Sequence, residues 1–312
     1  MRIEPDFGPF SASYEAGAPQ VVWTRLVADL ETPVSAYLKI VGSNANAFLL
    51  ESVEGGAVKG RYSIIGLEPD LIWRVQDGGA AINRRVQQDP AAFTPQSRPP
   101  LDALRDLLAE SRIEIPESLP PMAAGVFGYL GYDMVRQMED LAPAKPDPIG
   151  VPDALFIRPT VVIVFDAVKD EITVVTPVRP QERMTAKLAF DRAVDRLTKV
   201  VEALDRSLDK QTPLPDHGAI MANLVSNTTE ADYSAMVDRA KDYIAAGDIF
   251  QVVLSQRFST PFELPPFSLY RALRRVNPSP FLYYLAFDGF SVAGSSPEIL
   301  VRVRDGKVTI RP

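Results

Sequence analysis

Thr160-Val161-Val162-Ile163-Val164-Phe165-Asp166-Ala167-Val168-Lys169-Asp170-Glu171-Ile172-Thr173-Val174-Val175-Thr176 is the stretch from which the fold is read. Two dense apolar, β-branched runs flank a polar break, which predicts an antiparallel hairpin. Working upstream, Ala47-Phe48-Leu49-Leu50 reads as a strand leading into Glu51-Ser52-Val53-Glu54-Gly55-Gly56, and Arg61 to Gly66 reads as its return. Helical periodicity is confined to isolated segments. Leu101 to Ser111 carries Leu101, Leu104, Leu107 and Leu108, and Glu182 to Leu208 turns Leu188, Val194, Leu197, Val201, Leu204 and Leu208 inward. A third helix, Glu230 to Ala246, opens after the N-cap-like Thr228-Thr229 and stops at Gly247, with Tyr233, Met236, Val237, Ala240, Tyr243 and Ile244 as its buried stripe. Hairpins with isolated helices, lacking the strand-helix rhythm of a doubly wound sheet, point to α+β.

Composition narrows the chemistry. The chain has 312 residues with a net charge of −7, and lacks cysteine, so disulfides, thiolate metal sites and a Cys nucleophile are excluded. Its one histidine, His217, sits in the linker-like run Gln211 to Gly218, which argues against a Ser-His-Asp triad or a multi-histidine metal site. Acid-base chemistry then falls to Glu, Asp, Lys or Tyr. No basic stripe supplies phosphate neutralisation, so a nucleic-acid partner is not expected. The N-terminus lacks an apolar signal region and no apolar run reaches bilayer length, so the expectation is a cytoplasmic protein without membrane contact. Gly125-Val126-Phe127-Gly128-Tyr129-Leu130-Gly131-Tyr132-Asp133 is rich in glycine but has neither phosphate-loop spacing, and close backbone packing explains it better. Asn83 to Pro100 is polar and proline-bounded, a surface excursion.

Three further segments carry polar groups in unusual company. Asp248 to Phe258 reads as a strand with Phe250, Val252, Leu254 and Phe258 on the core side and Gln251, Ser255 and Arg257 opposite, a row that is either solvated or lines a site. After a helix from Ser268 to Val276, Asn277-Pro278-Ser279-Pro280 fixes an extended path into the aromatic strand Phe281-Leu282-Tyr283-Tyr284-Leu285. Gly294-Ser295-Ser296-Pro297-Glu298 places one carboxylate at a rigid kink between two strands, the second beginning at Ile299. On local grounds Glu298 reads as a solvated turn residue more readily than as an aimed one.

Together these motifs resemble one family, the chorismate-using enzymes, and among them anthranilate synthase component I. The residues that carry the resemblance are Leu49-Leu50-Glu51-Ser52 with Arg61-Tyr62-Ser63, Gly247 to Gln256, Asn277-Pro278-Ser279-Pro280 and Gly294-Ser295-Ser296-Pro297-Glu298. The resemblance implies an α+β fold of large antiparallel sheets packed face to face with helices outside. It divides the chain into residues 1–218, with a tryptophan-site motif, and 219–312, the start of a chorismate-binding catalytic region interleaved with the first. It also implies that the chain is incomplete, because the hairpin Leu300 to Ile310, turning at Asp305-Gly306, leads in the family into a segment that begins at Pro312.

For activity the resemblance implies conversion of chorismate and ammonia to anthranilate and pyruvate with Mg²⁺. Ammonia adds at C2, the C4 hydroxyl leaves, and pyruvate is then eliminated. Glu298 matches the general acid that protonates the departing hydroxyl. Gln251 stands where water-adding relatives carry a lysine base; an amide cannot act as a base, which favours amination. Leu50, Glu51, Ser52, Ser63, Asn277, Pro278, Pro280, Phe281 and Leu282 are implied to line a pocket for L-tryptophan as feedback inhibitor, with Phe281-Leu282 replacing the more frequent Tyr-Met. The Mg²⁺ ligands and substrate-carboxylate donors are expected beyond Pro312, and ammonia is expected from a glutamine amidotransferase subunit (component II). Two alternatives stand beside this reading. Aminodeoxychorismate synthase component I typically has Gln-Val-Asn-Leu where this chain has Gln251-Val252-Val253-Leu254, and Asn-Pro-Ala-Pro where this chain has Asn277-Pro278-Ser279-Pro280. Alternatively, residues 1–312 by themselves form an inactive tryptophan-binding module.

Overall fold

The computed structural model describes residues 1–54, 58–120, 122–143, 145–208, 223–304 and 306–310. The Gly55-Gly56 turn, His217 with its linker, the boundary at 218, Asp305 and Pro312 therefore lie outside the described residues. In chain order the elements are α1 (Phe7–Glu15), β1 (Gln20–Val27), α2 (Pro33–Ile40), β2 (Ala47–Glu54), β3 (Val58–Gln76), β4 (Gly79–Asn83), β5 (Thr94–Pro95), α3 (Pro100–Glu110), β6 (Phe127–Leu130), a 3₁₀ turn (Tyr132–Gln137), β7 (Ala154–Asp166), β8 (Glu171–Val178) and α4 (Ala186–Leu204). They continue with β9 (Val225–Ser226), α5 (Glu230–Ala246), β10 (Phe258–Ser259), α6 (Pro266–Val276), β11 (Phe281–Ala286), β12 (Ser291–Ser296), β13 (Arg302–Arg304) and β14 (Lys307–Thr309). Two compact units result, Met1–Asp209 with Leu269–Pro312, and Lys210–Ser268.

The 160–176 hairpin forms as β7 and β8 within an antiparallel ten-stranded sheet ordered β1-β8-β7-β3-β2-β11-β12, with β4 attached at the far end of β3, β5 on β4, and β6 at the far end of β7. β3 and β7 are long enough to run through two layers, and their register shifts between Pro69 and Leu71, which lets the ladder bend. One ladder thus folds back on itself: Phe48 of β2 stacks on Phe127 of β6 with ring centroids 4.4 Å apart. Between the layers lie Ile64, Ile72, Leu155, Ile157, Val162, Val164, Leu285 and Phe287, all buried. Helices α1, α2 and α4 cover β1, β8 and β2, and α3 closes a second cluster around Leu71, Trp73 and Val75. A large antiparallel sheet with external helices is the α+β architecture read from the sequence.

Local chemistry explains several helix ends. Thr185 caps α4 and Thr229 caps α5 through their side-chain oxygens. Gly247 ends α5 in the left-handed region at φ 82°, where a Cβ would be strained. The glycine-studded segment is close packing: a Cβ on Gly128 would lie 1.9 Å from the carbonyl oxygen of Leu155.

Four expectations are corrected. α5 has no buried residue, and Tyr243 and Ile244 are exposed. Residues 251–257 form no strand; only Phe258–Ser259 pairs, with β9. A strand satisfies its backbone groups only through a neighbour, and none of the described strands pairs with 251–256, while Arg257 O accepts from Asn227 N at 3.0 Å. The strand expected from Ile299 starts at Arg302 and pairs only with β14, leaving Leu300, Val301 and Val303 exposed. In α3 and α4 the buried faces are richer in alanine than expected, with Ala103, Ala189 and Ala193 inside, while Leu108 and Leu188 are exposed.

Candidate functional site

Sheet register brings together residues far apart in sequence. Glu51 on β2 faces Ser63 on β3 and Leu282 on β11, and Leu282 faces Ser295 on β12. The next row is Ile64, Leu50, Tyr283 and Gly294. Side chains alternate across a sheet, so the first row faces the helices while the second turns into the space between the layers. The sequence grouped Leu50, Glu51 and Ser52 as one lining; the pleat puts Leu50 and Glu51 on opposite faces.

On the helix face, Glu51 is a buried carboxylate held by two donors of α6. The Tyr270 hydroxyl donates to Oε2 at 2.5 Å, and Arg274 Nη2 donates to Oε1 at 2.9 Å. The Glu51 side chain is 5% exposed and that of Arg274 is 32% exposed. Burial, followed by the Glu51 charge, pushes the Tyr270 phenol far above its usual range, so it stays a proton donor to the carboxylate. The Tyr284 ring lies 5.8 Å from Tyr270 and 5.7 Å from Tyr37, and its hydroxyl is 3.2 Å from Ser291 Oγ. A carboxylate, a guanidinium and three tyrosines thus form a polar core under β2, β11 and β12. Neither Tyr270 nor Arg274 was singled out from sequence. Tyr270 and Arg274 are four residues apart on one helix face, a signal that was present but had no visible partner.

Helix α6 runs directly into the proline segment. The Asn277 amide donates to Leu273 O at 2.8 Å, and Ser295 Oγ donates to Asn277 O at 2.5 Å, so the segment is tied to both the helix and β12. Ser279 and Leu282 are buried, Pro280 is half-buried, and Asn277, Pro278 and Phe281 are exposed. Ser52 lies half-buried where the β2–β3 register shifts, and Ser63 is half-buried opposite Glu51.

On the other face an open apolar pocket of about 530 Å³ is lined by Leu50, Tyr129, Leu130, Tyr283, Leu285 and Val292. Gly294 makes it possible: a Cβ there would lie 2.1 Å from Cζ of Tyr283. The Tyr129 hydroxyl donates to Pro152 O at 2.6 Å, and its phenol is pushed up to about 12 by burial and then by the charge of Asp153. Apolar walls with few polar groups suit an aromatic or aliphatic ligand portion.

The two residues matched to catalysis belong to different units. Gln251 is exposed in the second unit, and Glu298 is exposed in the first. The Glu298 amide donates to Ser296 Oγ at 3.3 Å, and that hydroxyl donates to Glu298 O at 3.3 Å, a local turn that orients the backbone. Among the described residues no three Asp, Glu, His or Cys side chains cluster so as to hold a metal ion. Among the same residues no helix is long and apolar enough to cross a membrane.

Comparison with known proteins gives consistent likenesses. Residues 68–312 match the family described as chorismate binding enzyme. The anthranilate synthase component 1 of Cereibacter sphaeroides is 50% identical over 308 residues, covering 98% of this chain and 61% of that protein. That of Pseudomonas aeruginosa is 40% identical, covering 92% of this chain and 57% of its own length. The chain therefore spans about three fifths of the length of these curated relatives. Among solved structures, the crystal structure of anthranilate synthase component I from Streptococcus pneumoniae TIGR4 superposes with a TM-score of 0.67 at 29% identity, covering 91% of this chain and 60% of that one.

Proposed function

The chain belongs to the family of chorismate-binding enzymes, and on that premise we propose that the protein makes anthranilate and pyruvate from chorismate and ammonia under feedback by L-tryptophan. This is a lyase reaction at the head of tryptophan biosynthesis. The relatives named above support it, and one structural observation carries it. Two of the four sequence motifs lie on the adjacent strands β3, β2 and β12, a third, Asn277–Pro280, leads directly into β11 between them, and Asn277 is tied to Ser295.

In this reading Glu298 gives its proton to the C4 hydroxyl as it departs, and Gln251 lines the amination side without acting as a base. A carboxyl that holds a proton near neutral pH needs desolvation or neighbouring negative charge, so the reaction requires Glu298 to be covered. Mg²⁺ belongs to the proposal as the family's cofactor. The described residues do not supply a fitting ligand cluster, so none is assigned to it and no step is routed through it. Ammonia comes from a glutamine amidotransferase subunit, component II, since the chain has no cysteine for glutaminase chemistry. The cytoplasm is the compartment we infer.

L-tryptophan is proposed to bind around Ser52, Ser63, Asn277, Pro278, Pro280, Phe281 and Leu282, with Glu51 behind them and Leu50 on the opposite face of β2. Because Gln251, Phe250 and Glu298 are each exposed, Phe250 to 94%, a narrower reading stands beside it. By themselves residues 1–312 bind the amino acid and do not turn over chorismate. Calorimetry with L-tryptophan and an ammonia-dependent anthranilate fluorescence assay on this chain separate the readings. Binding without fluorescence supports the narrower one; anthranilate formation by residues 1–312 refutes it. In an active protein containing these residues, Glu298→Gln abolishes ammonia-dependent turnover, and retention of most activity sinks the assignment of the acid. Formation of aminodeoxychorismate in place of anthranilate shifts the assignment to that synthase.

A further inference from the structure

The geometry points to Tyr270 and Arg274 as positioning residues that set the Asn277–Pro280 segment, with Glu51 as their buried anchor. Glu51 then governs ligand response through helix α6, not as the partner of a ligand's ammonium group. The inference rests on the tryptophan-binding reading for its ligand arm only.

Each carboxylate oxygen of Glu51 already accepts one strong hydrogen bond, from Tyr270 and from Arg274. An arriving ammonium would have to share a carboxylate that is 5% exposed and already neutralised by a guanidinium. Arg274 shows how firmly the anchor pulls, because its Nε is buried without an acceptor among the described residues while Nη2 reaches Glu51. Leaving a donor buried and unpaired is costly, so the charge on Glu51 outweighs that cost. The position of Arg274 then propagates. Leu273 accepts from the Asn277 amide, two prolines stiffen the path that follows, and Ser295 holds the Asn277 carbonyl. The last turn of α6 and the proline segment therefore move as one piece, clamped at Glu51 and at Ser295.

Hydrogen exchange tests this on residues 1–312 without ligand, read at the amides of Asn277, Ser279, Phe281 and Leu282. Tyr270→Phe and Glu51→Gln each raise exchange there about fivefold or more, while β7 and β8 keep their protection. The double variant exchanges within about twofold of Glu51→Gln alone, because both changes release one clamp. Arg274→Lys gives the same local loss and serves if Glu51→Gln does not fold. Unchanged exchange in Tyr270→Phe, or an equal loss across β7 and β8, overturns the proposal. In calorimetry Tyr270→Phe weakens L-tryptophan about tenfold, equivalent to ~1.4 kcal/mol. If Tyr270→Phe binds like wild type while Glu51→Gln does not bind, Glu51 touches the ligand directly and the proposal fails. If wild type does not bind L-tryptophan, the tryptophan reading fails while the exchange arm still decides the clamp.

Discussion

Replacing Asp166 tests the hairpin on which the fold reading began. Asp166 ends β7, and its side chain is 6% exposed. Oδ1 accepts from the amides of Val168 at 3.1 Å and Lys169 at 3.3 Å, and the carboxylate also takes the Arg61 guanidinium, with Nη2 at 2.9 Å from Oδ2. Asp166→Ala strands both turn amides. Val168 and Lys169 are themselves exposed, so water recovers part of each bond, and ~1 kcal/mol per amide, about 2 kcal/mol in all, is the expected loss. Arg61 is half-exposed, and its ion pair adds little. Asp166→Asn keeps an acceptor for the amides but loses the charge, and costs about half as much. Burial works to raise the Asp166 pKa, but the bonds from Arg61 and the two amides more than offset it, so the folded value sits below the ordinary one. The sign follows: the charge stabilises above the unfolded value of ~3.9 and the gain is lost as pH falls through the lower folded value. Urea unfolding followed by the fluorescence of Trp23 and Trp73, the only two tryptophans, reports on the unit that contains the sheet. At pH 7 Asp166→Asn lies below wild type, and the gap closes below about pH 4. An Asp166→Ala protein within ~0.5 kcal/mol of wild type at pH 7, or a gap that widens in acid, refutes the reasoning.

Other perturbations follow from the same packing. Gly128→Ala drives a methyl into the Leu155 carbonyl, and because backbone cannot yield cheaply, β6 leaves β7 at a cost of about 1–3 kcal/mol or more in the same urea assay. Phe48→Ala, at a site 1% exposed against Phe127, costs ~3–5 kcal/mol, whereas Phe250→Ser, at a site 94% exposed, changes stability by less than ~0.5 kcal/mol. Gly294→Ala pushes the Tyr283 ring off its seat, and titration of an apolar fluorophore into the neighbouring pocket checks the expected fall in affinity.

Much of the fold was legible because its signals are local. The β7–β8 hairpin, the Thr229 cap and the Gly247 stop each depend on a few consecutive residues. Residues 251–257 carry the alternation of a strand just as clearly, yet they form none, and among the described residues only Arg257 at their end bonds a neighbouring backbone group, that of Asn227. Pattern reports which face a strand would bury, and only a neighbour's backbone makes it a strand. The same limit applies to α5, whose apolar stripe is only half-buried at Tyr233 and Met236 and exposed at Tyr243.

The site was legible in its residues and not in its geometry. Leu50 and Glu51 are adjacent in sequence, so a motif presents them as one surface. A period of two sends one to an apolar pocket and the other under α6. Whether a carboxylate on a strand is solvated, binds a ligand or anchors a helix depends on what the chain returns to it some 220 residues later, here Tyr270 and Arg274. Sequence spacing on α6 shows that these two share a face; it does not show that a buried negative charge waits opposite. Once that charge is placed, the direction of causation changes. Glu51 ceases to be one more wall of a pocket and becomes the fixed point from which the proline segment takes its position.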